Sequence, residues 1–120
     1  MAWEFENGRP IYTQLLELIE QKIVAGEYQP GSRMPSVREL AAEAAVNPNT
    51  MQRAMVELEN KGLIITNRTS GRTVTKDMEV LLLVKKQKAD ILTDEYVTKM
   101  SEIGFSKKEI IELIEKGEDK

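Results

Sequence analysis

Two helix-start signals crowd one short stretch of this chain, and they leave room for little more than two turns of helix between them. The first is Ser36-Val-Arg-Glu39, where serine can cap the third amide and glutamate can return the bond. The second is Asn47-Pro48, an N-cap residue followed by proline at the first helical position, where its missing N–H costs nothing. The helix opened at Ser36 must therefore end near Glu43, with Ala44-Ala45-Val46 as a tight turn. A short helix, a tight turn and a second helix form a compact unit whose second member presents its N-terminal residues outward.

The flanking segments extend that unit. Ile11, Leu15, Leu18, Ile19 and Ile23 recur at helical spacing, which predicts a helix from Pro10 to about Ala25, stopped at Gly26. Tyr28-Gln-Pro-Gly-Ser-Arg-Met-Pro35 reads as a turn-rich connector. After Asn47, the residues Met51, Ala54, Met55 and Leu58 line one helical face, and Gly62 ends the helix. Leu63 to Thr66 and Thr73 to Thr75 are β-branched runs either side of a polar turn. They predict a hairpin in which Gly71 supplies a positive φ. Beyond Asp77 the pattern predicts a long helix and a short one, separated by Gly104, with a second capping box at Ser106-Lys-Lys-Glu109. The expected fold is mainly α with a small β-hairpin: a winged helix-turn-helix over residues 1–76, then a two-helix C-terminal region over 77–120.

Composition narrows the chemistry. The 120 residues include no cysteine and no histidine, which excludes disulfides, thiol chemistry and thiolate zinc sites. It also removes the commonest acid–base group at neutral pH. No nucleophile–base pair, metal set or Walker-type glycine loop is present, so neither an enzyme nor a cofactor is expected. The longest apolar run, Val80 to Val84, is far short of a membrane span, and the first residues lack the pattern of a signal peptide. The expectation is a protein without a membrane association, in the cytoplasm.

A net charge of −3 is unusual for a nucleic-acid binder. The local balance differs. Between Arg33 and Lys76 the bases Arg33, Arg38, Arg53, Lys61, Arg68, Arg72 and Lys76 outnumber the acids Glu39, Glu43, Glu57 and Glu59. Phosphate senses the field within roughly 8 Å at physiological salt, so this window matters more than the total. In a helix-turn-helix the start of the second helix meets base edges in the major groove. Here that start carries Asn47, Asn49, Thr50, Gln52 and Arg53. Asparagine and glutamine can pair with adenine, and arginine with guanine or phosphate. Arg38 is placed to reach the DNA backbone, and Arg68 and Arg72 lie on the wing. Each piece has a plainer meaning: Asn-Pro is a common cap, Arg38 an ordinary solvated residue, the hairpin a surface turn. Their conjunction in order along one stretch favours double-stranded DNA.

The same residues resemble the GntR family of transcription regulators. The likeness is carried by Pro10-Ile-Tyr-Thr-Gln14, Gly26-Glu27, Pro30-Gly-Ser-Arg-Met-Pro-Ser-Val-Arg-Glu-Leu-Ala41, Asn47-Pro-Asn-Thr-Met-Gln-Arg-Ala54, Glu57-Leu-Glu-Asn-Lys-Gly-Leu-Ile64 and Gly71. It covers roughly residues 9 to 76, and the Val-Asn-Pro-Asn-Thr element with the short tail is similar to the YtrA-type subfamily. The resemblance implies DNA contacts at Arg38, Asn47, Asn49, Thr50, Gln52, Arg53 and around Gly71. Many relatives carry arginine where this chain has Pro48, which shifts base recognition toward Asn47, Asn49 and Gln52. The resemblance also implies a repressor of a transporter operon.

The tail carries an apolar stripe of Leu81, Val84, Ile91, Leu92, Tyr96, Met100 and Ile103, interrupted at Lys88, with Ile110, Ile111, Leu113 and Ile114 beyond it. A segment this small buries too little surface alone. It is expected to form a homodimer, the competing possibility being a tail folded back on its own domain. Most GntR relatives carry a large ligand-sensing domain after the wing, for which these residues are too few; a small unknown effector could still sit between the tail helices. The alternative function is a winged-helix protein-interaction module without DNA binding, which the acidic total favours and the polar start of the third helix opposes.

Overall fold

A computed structural model of the chain describes residues 3–117. Positions 1, 2 and 118–120, the outer ends of the two expected regions, lie outside the described residues. Helix α1 (Ile11–Val24) begins one residue later than expected, with Pro10 as its N-cap at ψ 138°. Of the expected stripe Leu15, Ile19 and Ile23 are buried, while Leu18 is half-buried and Ile11, in the first turn, is exposed; Gln14 and Glu20 are buried beside them. Gln14 uses its whole amide. Its Oε1 accepts from the Glu6 amide at 2.6 Å, and its Nε2 donates to the Glu6 and Arg9 carbonyls at 3.0 Å each. This pins the N-terminal segment, so Trp3 and Phe5 pack against the core.

Both halves of the first capping box form: the Glu39 amide donates to Ser36 Oγ and the Ser36 amide to Glu39 Oε1, each at 3.1 Å. Helix α2 (Val37–Ala44) then stops in one residue, because Ala45 turns left-handed at φ 59°, ψ 47°. Among the described residues Ala45 is the one non-glycine at positive φ. Helix α3 (Pro48–Asn60) opens with Asn47 Oδ1 accepting from the Asn49 amide at 2.8 Å and Pro48 in the first turn. Met51, Ala54, Met55 and Leu58 face inward. Lys61 at its end reaches Glu20 of α1 at 2.7 Å, tying the two helices together at the edge of the core.

The hairpin follows, displaced slightly from the expected runs: β1 (Ile64–Asn67) pairs antiparallel with β2 (Gly71–Val74), Ile64 opposite Val74 and Asn67 opposite Gly71. Gly71 takes φ +73°, as a tight return demands. The connector is more than a turn. Arg33 bridges to Thr73, the Met34 amide donates to the Arg72 carbonyl at 2.8 Å, and the Val74 amide to the Ser32 carbonyl at 2.9 Å. Residues 32–34 thus add a short third rung to the wing, and Met34 enters the core.

Asp77 caps α4 (Met78–Glu102), its Oδ1 accepting from the Glu79 amide at 3.0 Å. The first compact unit runs to Lys85, past the end of the wing, because Leu81 is part of its core and Val80 and Val84 pack against it. The second unit, from Lys86, holds the rest of α4 and α5 (Lys107–Lys116). Gly104 (φ +99°) follows α4, and the Ser106–Glu109 capping box that opens α5 is complete. Within this unit Ile91, Leu92, Tyr96, Ile103, Ile111, Leu113 and Ile114 are exposed, and Ile110 is buried.

Candidate nucleic-acid interface

Helix α3 sorts its residues by face. Asn49, Gln52 and Arg53 stand three and four positions apart, so they share one side of the helix and are exposed. Met51, Ala54 and Met55 occupy the opposite, buried side. Thr50 lies between the two and is half-buried. Asn47 is exposed, but its Oδ1 is already committed to the cap, which leaves its amide N–H groups to offer. Arg53 is held: its guanidinium lies 4.3 Å from the centre of the Tyr12 ring on α1.

The other expected contacts lie on α2 and on the wing. Arg38, near the start of α2, is exposed and makes no ion pair or side-chain hydrogen bond among the described residues. Arg68 is exposed in the turn of the wing. Arg72 is not free. Its Nε donates to Glu59 Oε1 at 2.6 Å, and Thr66 Oγ donates to the other oxygen, Oε2, at 2.7 Å. The Thr66 hydrogen bond, with help from Arg72, holds the Glu59 carboxyl below the usual range despite its burial. Between the wing and the start of α2 runs a groove of about 710 Å³, lined among others by Arg33, Ser36, Glu39, Thr66, Gly71 and Arg72. Sequence reasoning counted Arg33 in the basic window without giving it a role; only the extra rung brings it beside the hairpin.

The family model for bacterial regulatory proteins, gntR family, matches residues 11–74. The chain belongs to the GntR family. Among curated relatives it is 35% identical to the uncharacterized HTH-type transcriptional regulator YhcF of Bacillus subtilis, over 92% of each chain. It is 33% identical to the HTH-type transcriptional repressor YtrA of Bacillus subtilis, over 73% of this chain and 72% of that one. A solved GntR family transcriptional regulator from Listeria monocytogenes shares its fold with TM-score 0.85 and 38% identity, covering 95% of this chain and 100% of its own. The DNA-binding domain of AraR, solved in complex with operator ORX1, matches with TM-score 0.55 and 26% identity, over 62% of this chain and 99% of its own.

This GntR-family chain is therefore a winged helix-turn-helix, DNA-binding transcriptional regulator and not an enzyme. No group of acidic residues among the described ones could hold a metal ion. No helix among them is long and apolar enough to cross a membrane. The apolar stripe of this GntR tail divides in use. Leu81 is buried in the core of the first unit, and Val84 is half-buried against it. Ile91, Leu92, Tyr96 and Ile103 are exposed, and Met100 is half-buried.

Proposed function

We propose that this regulator is a homodimeric repressor of the YtrA type, acting in the cytoplasm on the operator of a transporter operon. The observation that carries the operator-reading part is the exposed row Asn49, Gln52 and Arg53 on α3, together with the exposed Arg38 on α2 and Arg68 in the turn of the wing. Amide and guanidinium side chains on a helix face can read base edges, while arginines beside them neutralise phosphates. Repression is supported by the likeness to the repressor YtrA. Pairing is supported by the exposed Ile91, Leu92, Tyr96 and Ile103, since large apolar side chains grouped on a small surface favour a partner. A dimer would set its two α3 helices on half-sites about one helical turn apart, ~34 Å.

A salt-titrated binding assay tests the reading, using the DNA upstream of the protein's own gene beside a scrambled duplex. Selective binding that weakens with salt, and a footprint of two related half-sites, is the expected outcome. Equal or absent binding to both duplexes would point instead to a protein-interaction module. Light scattering of a Leu92→Glu variant tests the pairing: a dimer that persists unchanged would remove α4 from the interface.

A further inference from the structure

We propose that Arg33 is the residue that meets a DNA phosphate in the groove between the wing and α2, and that Arg72 instead braces the wing on α3. The assignment rests on the DNA-binding reading above and refines it. Two arginines line the groove, and the structure separates them by their partners.

Arg72 is already neutralised. Its Nε–H donates to Glu59 at 2.6 Å, and Thr66 holds the second carboxylate oxygen, so the three side chains join β1, β2 and α3. Arg72 and Glu59 are both largely shielded, their side chains 23% and 28% exposed. A phosphate that drew Arg72 away would leave the Glu59 carboxylate without its cation and close to a second anion. Charge-assisted bonds of this kind are the stronger ones, and removing one partner is costly. The pair therefore holds the hairpin in place and adds no net charge to the groove.

Arg33 has the opposite character. It is exposed, and it makes no ion pair or side-chain hydrogen bond among the described residues. Its backbone is nevertheless fixed, because it pairs with Thr73 between the Ser32 and Met34 hydrogen bonds to β2. The side chain lies along the wing glycine: a Cβ on Gly71 would stand 3.8 Å from its Nε and 3.9 Å from its Nη2. A guanidinium on a rigid rung, with room over bare backbone, suits a phosphodiester oxygen. The acid facing the groove is Glu39; its carboxylate accepts from the Ser36 amide in the capping box, and it feels the Arg33 charge only at a distance, beyond ion-pair contact.

The test is fluorescence anisotropy of the full chain on two duplexes, the upstream DNA of its own gene and a scrambled duplex of equal length, across a salt series. Arg33→Ala is expected to weaken both duplexes by the same factor and to lower the slope of log K against log salt by about one per protomer. Arg33→Lys should restore the slope. Arg72→Ala should keep the wild-type slope while lowering the thermal midpoint, and Glu59→Gln added to it should lower the midpoint little further. An unchanged slope for Arg33→Ala beside salt-dependent wild-type binding overturns this assignment alone, as does a slope lost with Arg72→Ala in a protein that remains folded. Wild-type protein that binds neither duplex at any salt overturns the DNA-binding reading as well.

Discussion

The guanidinium of Arg53 sits over the Tyr12 ring, 4.3 Å from its centre, so a residue of α1 orients a residue of α3, the helix proposed to read the operator. Tyr12 is half-buried, packed against the core. A cation–π contact at an exposed site contributes about 0.5–1 kcal/mol. Tyr12→Leu should then weaken DNA binding about 2- to 5-fold, and Tyr12→Phe, which keeps the ring face, should not. Anisotropy on the same duplex checks this; equal losses for both variants would assign the effect to the hydroxyl and not to the ring face.

Ala45 occupies a left-handed turn at φ 59°. That conformation costs a residue with a Cβ about 1–2 kcal/mol. Glycine avoids the cost but gives up about 0.4–1 kcal/mol through its freer unfolded chain. The first effect is the larger, so Ala45→Gly should stabilise the fold by about 0.5–1 kcal/mol. Urea unfolding should show a higher midpoint with an unchanged slope; a lower midpoint would contradict the argument.

The Glu59 carboxyl is held below its ordinary range, chiefly by Thr66 and then by Arg72. A group whose folded pKa is depressed contributes stability above its unfolded pKa and loses it as pH falls through the folded value. Glu59→Gln should therefore be less stable than wild type at pH 7 by about 1 kcal/mol, a charge-assisted bond discounted for partial exposure. The gap should close in acid, below the ordinary carboxylate range. Unfolding midpoints compared at the two pH values check it, and a gap that survives acid would mean the carboxylate charge is not its source.

Leu81 and Leu82 are neighbours with different surroundings, 7% and 59% exposed. Leu81→Ala empties a core position and should cost about 2–3 kcal/mol. Leu82→Ala should cost no more than about 0.5 kcal/mol in the monomer. Chemical denaturation of the two variants measures the difference. The reverse order would show that the start of α4 does not belong to the first unit.

Much of the fold was legible because its signals are local. Ser36 and Glu39, Asn47 and Asn49, and Ser106 and Glu109 find their partners within three residues, so the helix starts can be read directly from the chain. The buried row Met51, Ala54, Met55 and Leu58 and the exposed row Asn49, Gln52 and Arg53 follow from the helical period alone. Gly71 announced its turn because few other residues adopt φ +73° without strain.

The rest depended on which elements meet. Pro30 and Gly31 made residues 28–35 read as turn, and nothing nearby in sequence shows that β2, about forty residues on, would pair with Arg33. Arg72 and Arg68 look alike in the sequence; only the packing of the hairpin on α3 sets Glu59 beside one and leaves the other exposed. The tail stripe reads as one continuous feature, yet Leu81 fills the core of the first unit while Ile91 and Leu92 remain outside it. The sequence by itself determined where helices start, which faces are apolar and which polar residues stand at the front of α3, since these rest on contacts within a turn or two. Tertiary structure alone decided which charges are free and which apolar residues are covered, because an ion pair or a buried contact exists only when two distant elements come within a few ångströms.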